Sequence, residues 1–174
     1  MNLLSESIRN IPDFPKKGIV FRDITTLLKN ADALKRVVDL LSEKYRNLKI
    51  DKVVCIESRG FIIGSALAVN LGAGFVPVRK KGKLPAEVIT EQYALEYGVD
   101  AIEMHVDAIR PGERVLLHDD LLATGGTMCA AIKLVEKLQG KIVGVSFLIE
   151  LSFLQGRKCM QEQDVYSLIL YDRE

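Results

Sequence analysis

Two adjacent carboxylates, Asp119 and Asp120, are followed after two leucines by the run Ala123-Thr124-Gly125-Gly126-Thr127. This run has almost no side-chain bulk, so a ligand can come close to its backbone. Gly125 and Gly126 open φ values closed to other residues. Successive N–H groups can then cradle an anion, helped by the positive end of a following helix. Thr124 and Thr127 add hydroxyl donors. A phosphate would repel the two acids, which therefore need another partner: the cis-hydroxyls of a sugar, or a metal ion carried by the substrate. An acid pair just ahead of a phosphate cradle points to a phosphorylated ribose. A strand ending in a polar turn and a helix cap would leave a similar string. The apolar lead-in Val115-Leu116-Leu117 favours binding, because ligands of open α/β sheets sit at the carboxyl ends of the strands.

Two familiar phosphate loops are excluded. A Walker A loop closes on Gly-Lys-Ser/Thr, whereas Thr127 is followed by Met128. The dinucleotide fingerprint G-x-G-x-x-G is absent from the chain.

The elements that must position these groups follow from periodicity. Residues 2–10 read as a short helix stopped by Ile11-Pro12. Residues 33–47 read as an amphipathic helix capped by Asn30 or Asp32. Residues 52–57 read as a buried strand, 61–71 as a helix ended by Gly72, and 74–79 as the next strand. Periodicity is weak from Lys80 to Tyr97, a long excursion of the kind that often serves as an active-site lid. Strands at 101–107, 115–118, 142–149 and 166–171 and a helix at 127–138 complete the set. Strands alternating with helices predict an α/β fold with a mostly parallel twisted sheet, flanked by helices on both faces.

Composition narrows the class. The chain has 174 residues, 48% of them apolar and 27% charged, with a net charge of +1. That predicts one domain, 1–174, with no electrostatic footprint for nucleic acid and no apolar run long enough for a membrane span. Cys55, Cys129 and Cys159 are odd in number and lack C-x-x-C spacing. This predicts neither a disulfide framework nor a zinc site, and a cytoplasmic location.

Three further segments carry chemistry. Glu57-Ser58-Arg59-Gly60-Phe61 joins a strand to a helix, where Ser58 can cap and Arg59 can hold a second anion, although a routine βα turn looks much the same. Arg79-Lys80-Lys81-Gly82-Lys83 is either a solvated loop or a clamp on a polyanion. Residues 14–25, Phe-Pro-Lys-Lys-Gly-Ile-Val-Phe-Arg-Asp-Ile-Thr, read as an N-terminal flap over apolar surface.

Together these motifs resemble the type I phosphoribosyltransferases. Val115–Thr127 is similar to their signature for phosphoribosyl diphosphate (PRPP). The segments at 14–25, 58–61, 79–85 and 95–98 resemble those of the adenine-specific branch, and the resemblance spans residues 8–154. Lys17 and Thr26 stand where proline is usual, and His118 where an aliphatic residue is usual. If the strand alternates, His118 points away from the acids.

The resemblance implies the type I fold with a mobile hood over 80–105 and a base-covering segment over 1–30. It implies a purine-salvage transferase that makes AMP and pyrophosphate from adenine and PRPP, with Mg²⁺ carried by PRPP, acting as a cytoplasmic homodimer. The Glu57–Ser58 peptide is expected to be cis. Ala123, Thr124, Gly125, Gly126 and Thr127 are expected to hold the 5′-phosphate, Asp119 and Asp120 the ribose hydroxyls, and Arg59, Arg79, Lys80 and Lys83 the pyrophosphate. Adenine is placed between Leu121 and Val20, Phe21 and Arg22. Glu96 is the proton-transfer group near the purine imidazole, and Tyr97 closes the lid. The competing readings are a 6-oxopurine or orotate phosphoribosyltransferase and a non-catalytic PRPP sensor. Residues 14–25 argue against the first. The short, nearly neutral chain leaves the second no DNA- or RNA-binding surface.

Overall fold

The computed structural model describes residues 2–94 and 98–173. In chain order the elements are α1 (Asn2–Glu6), β1 (Arg9–Ile11), β2 (Phe21–Asp23), α2 (Thr25–Leu28), α3 (Ala31–Tyr45), β3 (Lys52–Ile56), α4 (Arg59–Leu71) and β4 (Gly74–Lys80). Then come β5 (Val88–Ala94), β6 (Val99–His105), β7 (Arg114–Leu122), α5 (Gly126–Lys137), β8 (Lys141–Leu151), two short 3₁₀ segments (Ser152–Leu154 and Gly156–Met160) and β9 (Val165–Tyr171).

Seven strands form one sheet in the order β5-β6-β4-β3-β7-β8-β9. The pairings among β4, β3, β7, β8 and β9 are parallel, whereas β6 runs antiparallel to β4 and to β5. This is the mostly parallel twisted sheet that alternation predicts. Its two faces bury separate cores. One, under α3 and α4, includes Val37, Leu41, Val53, Ile63, Leu67 and Leu116. The other, under α5, includes Val54, Val78, Leu117, Ala131, Leu134 and Phe147. Burial on both faces explains why the central strands read as near-continuous apolar runs.

Four expectations need correction. The N-terminal helix ends at Glu6 and the chain enters β1, which pairs antiparallel with β2. Here Thr26 finds its use. Its hydroxyl donates to the Ser7 carbonyl at 2.7 Å and accepts from the Arg9 amide at 3.2 Å, bonds that a proline could not make. The weakly periodic excursion is a hairpin, β5–β6, whose strand β5 lies on α5: the Glu91 carboxylate accepts from Lys137 at 2.6 Å and lies 3.4 Å from Lys133. Strand β7 does not stop at His118 but runs through both acids to Leu122. Finally, Cys129 and Cys159 are disulfide-bonded, with Cα atoms 6.2 Å apart and a sequence separation of 30. Their spacing carried no signal because tertiary packing, not a local motif, brings α5 against the 3₁₀ segment at 156–160.

Beneath the acids, His118 is fully buried, and Cys55 is its register partner on β3. Its Nδ1 lies 2.8 Å from Ser146 Oγ on β8, and its ring bonds that hydroxyl rather than either carboxylate. Burial pushes the imidazole down from 6.5 to about 4, so it stays neutral near neutral pH. The unfolded chain takes up this proton near pH 6.5, while the folded chain resists until about pH 4. Stability is therefore lost as pH falls from 6.5 towards 4, by up to roughly 3 kcal/mol. His118→Leu is expected to remove that part of the acid sensitivity. The readout is the difference between urea midpoints at pH 7 and pH 4.5; the same difference in both proteins would contradict it.

Candidate functional site

The loop of residues 123–127 has the tight, small-residue form its sequence suggests. Gly125 caps α5 at φ 84°, in the left-handed region that favours glycine. A Cβ there would run into the Gly156 carbonyl, so both conformation and space require glycine. Residues 121–128, with Asp119 and Phe147, line a recess of about 90 Å³ at the start of α5. The amide ends of α5 open into it, which suits an anion.

A second recess of about 180 Å³ is lined by Ile56, Glu57, Val78, Lys80, Tyr93, Ile102, Asp119 and Thr127. Asp119 and Thr127 belong to both. Asp119 thus stands between a small amide-lined recess and a larger one bordered by the basic segment. A larger cavity, about 710 Å³, lies between α1, α3 and β9 and contains none of the motif residues. Chemistry, not volume, identifies the site.

The two acids have different surroundings. Asp120 forms an ion pair with Arg59 at the start of α4. Asp119 lies close under Gly60, where a Cβ would come within 2.6 Å of its Oδ1, and that oxygen accepts from the Asp120 amide at 2.9 Å. Burial, and then the neighbouring Asp120 charge, push the Asp119 carboxyl well above its ordinary range. Asp120 is paired with an arginine, and its neighbour Asp119 favours the proton, as a buried acid beside another acid does.

The Arg59 guanidinium also lies over the Phe21 ring, 5.1 Å from its centroid, and Phe14 meets Phe21 edge-on at 5.2 Å. This joins the N-terminal flap to the acids. Arg22 is spent elsewhere: Nη1 donates to Asn10 at 2.6 Å, and the guanidinium stacks 4.2 Å over Tyr171. The charge of Arg22 is therefore engaged by Asn10 and Tyr171. The turn before it closes without a proline at 17, because the Asp13 carboxylate accepts from the Gly18 amide at 2.8 Å. The Glu57–Ser58 peptide is cis.

The residue that the sequence reading missed is Glu57. Its carboxylate gathers the basic segment, pairing with Lys83 and accepting from Arg79 Nε at 3.2 Å and the Lys80 amide at 3.1 Å. Burial pushes Glu57 up, but Lys83, the Lys80 amide and Arg79 outweigh it and hold its carboxyl below 4.5. Lys80 itself turns to Asp100 at 3.2 Å. Every cation expected to hold pyrophosphate is thus occupied by a carboxylate of the chain. An acid directly before the βα turn was the available signal. Glu96 and Tyr97 lie outside the described residues. Among the described residues no three His, Cys, Asp or Glu side chains converge as a metal cage, so a cation here would need donor oxygens from its substrate.

A small recess at the start of α5 and a second one bordered by Lys80 meet at Asp119 and Thr127, an arrangement that suits a ligand carrying two anionic groups. Comparison with known proteins agrees. Residues 23–167 match the model of the phosphoribosyl transferase domain. A protein of Brachyspira hyodysenteriae named adenine phosphoribosyltransferase is 61% identical over 168 residues, 97% of this chain and 99% of its own. The chain belongs to the adenine phosphoribosyltransferase family. The crystal structure of the adenine phosphoribosyltransferase from Thermoanaerobacter pseudethanolicus superposes with a TM-score of 0.95 at 50% identity, covering 98% of this chain and 99% of that one. That of the Saccharomyces cerevisiae adenine phosphoribosyltransferase, complexed with an imino-altritol bisphosphate and adenine, gives 0.91 at 40%, covering 96% and 97%. The chain has the fold of that family. No helix among the described residues is long and apolar enough to cross a membrane.

Because Glu57 competes with any anion for Lys83 and Arg79, Glu57→Gln is expected to tighten binding of inorganic pyrophosphate about fivefold, the size of one partly screened ion pair of ~1 kcal/mol. Isothermal calorimetry measures it, and weaker binding in the variant would show that Glu57 supports the anion site instead.

Proposed function

We infer that this protein transfers the phosphoribosyl group of PRPP to adenine, giving AMP and pyrophosphate in purine salvage. The observation that carries the reading is the position of Asp119 between the two recesses. A 5′-phosphate in the loop of residues 123–127 and a diphosphate beside the basic segment would leave the ribose spanning the acids. The adenine N9 then attacks C1 as pyrophosphate leaves, and positive charge builds on the sugar. Asp120, paired with Arg59, faces that charge, and Asp119 joins it when the positive charge building beside it draws off its proton. Arg59, Arg79, Lys80 and Lys83 meet the departing anion after releasing Asp120, Glu57 and Asp100.

Mg²⁺, carried in on PRPP, would further neutralise the diphosphate, and Asp119 and Asp120 would be the carboxylates to share it. Adenine is placed between Leu121 and residues 20–22, where backbone groups can read the amine edge. A site built on such hydrogen bonds rejects the 6-oxo edge strongly. Glu96 is assigned to the imidazole side of the base and Tyr97 to lid closure. The protein is read as cytoplasmic and dimeric. Ile62, Val69 and Phe75 expose an apolar face on α4 and β4 that a second copy can cover, which sedimentation would test.

The deciding experiment measures turnover with adenine, hypoxanthine and guanine in parallel, with PRPP and Mg²⁺. Adenine alone is expected to react at an appreciable rate, and a preference for hypoxanthine would overturn the assignment. The double variant Asp119→Asn, Asp120→Asn is expected to lose most turnover, by 10²-fold or more in order of magnitude, while keeping its thermal transition. Near-normal AMP synthesis would remove both acids from the mechanism. Glu96→Gln is expected to lower kcat, whereas an unchanged rate would leave Glu96 as a lid residue only.

A further inference from the structure

We propose that Cys129 and Cys159 form a reversible thiol–disulfide site, open to small or protein dithiols, that sets the affinity of the phosphate loop. Cys129 lies in the first turn of α5, two residues after Thr127, and is bonded to Cys159 on the 3₁₀ segment at 156–160. That segment forms the outer wall of the loop. Cys159 Sγ lies 3.7 Å from the Gly125 carbonyl oxygen. A Cβ on Gly125 would strike the Gly156 carbonyl, and one on Gly156 would strike the Ala123 carbonyl. The two stretches of backbone therefore touch on both sides of the cradle, and the bridge clamps the contact.

Access and retention both favour exchange. Cys159 is exposed and Cys129 half-buried, whereas Cys55 is wholly buried against α4. The wall does not depend on the bridge for its place. Arg157 holds the buried Glu150 carboxylate with two bonds of 2.7 and 2.6 Å and donates to the Val165 carbonyl at 3.1 Å. Met160 is buried in the core under α5. Opening the bridge frees the loop from its wall while the fold stays intact. In a reducing cytoplasm an accessible disulfide is a reversible one.

The chemistry balances. A dithiol's thiolate attacks the exposed Cys159 sulfur, and Cys129 leaves as a thiolate that takes up a proton. The dithiol's second thiol, as its thiolate, then attacks its own sulfur in the mixed disulfide and releases the Cys159 thiolate, which is protonated in turn. The protein gains two thiols and two electrons, and the dithiol becomes a disulfide. The bridged form holds the cradle preorganised and binds phosphate more tightly. By reciprocity, a ligand in the cradle protects the bridge.

This inference rests on the reading of residues 123–127 as the 5′-phosphate site, and the experiment separates the two. Protein exposed to oxidised glutathione, then denatured and alkylated, is expected to show one modified cysteine by intact mass, and three after dithiothreitol. KM for PRPP is expected to rise about fivefold on reduction, with kcat within twofold. Cys159→Ser should match the reduced form and ignore dithiothreitol. Ribose 5-phosphate should slow reduction severalfold. Three alkylated cysteines after oxidation, or the same KM in both redox forms while Thr127→Ala weakens PRPP binding, would overturn the redox site and leave the phosphate reading standing. If Thr127→Ala leaves PRPP binding unchanged, the phosphate reading fails and the proposal with it.

Discussion

The carboxyl ends of β3, β4 and β7 bring carboxylates and cations into one partly buried region, and these charges are tolerable there only as one another's partners. Arg59 answers Asp120, and Lys83 and Arg79 answer Glu57. The cations keep part of their length in water, but the Asp120 and Glu57 carboxylates are largely buried and, stripped of their cations, would be left as uncompensated charge. The order of the sheet makes the pairing possible, because β3 lies between β4 and β7. Acids from β7 and the turn after β3 therefore face cations from the start of α4 and the end of β4. A substrate that brings both a ribose and a diphosphate finds donors and acceptors already charged and oriented, and it enters by exchanging partners rather than by stripping water from bare ions. The rest of the fold serves to hold those strand ends in register.

Much of this was legible in the sequence where binding uses consecutive residues. The cradle at 123–127 could be read because amides lined up by one short loop need small neighbours in one place. The parallel sheet could be read because strands covered on both faces show long apolar runs. The Glu57 cluster could not be read. Its members sit on the turn after β3, on β4 and on the loop after β4, and a lysine-rich loop looks the same whether it faces water or a buried acid. The disulfide was hidden for the same reason.

The hairpin failed for a different cause. Strand β5 turns Ile89 and Tyr93 towards the core under α5, but Glu91, of the same parity, satisfies lysines of α5. A charged residue at an inward position breaks the alternation by which a strand is recognised. The departures Thr26 and His118 are informative after the fact. Each replaces a residue that only fills space with one whose polar atoms reach a second segment, Ser7 and Arg9 in one case, Ser146 in the other. This chain thus fastens its flap and its central strand by hydrogen bonds of its own.

The tie between the hairpin and α5 has a consequence for how the molecule responds to its medium. Glu91 reaches Lys133 and Lys137, whose side chains are about half exposed, so ions in solution screen the contact. The amide cradle at the other end of α5 depends on backbone geometry and feels ions far less. Rising ionic strength should therefore loosen one end of this helix's surroundings before the other. The cover over the site is set by the electrolyte, and the floor by the covalent chain.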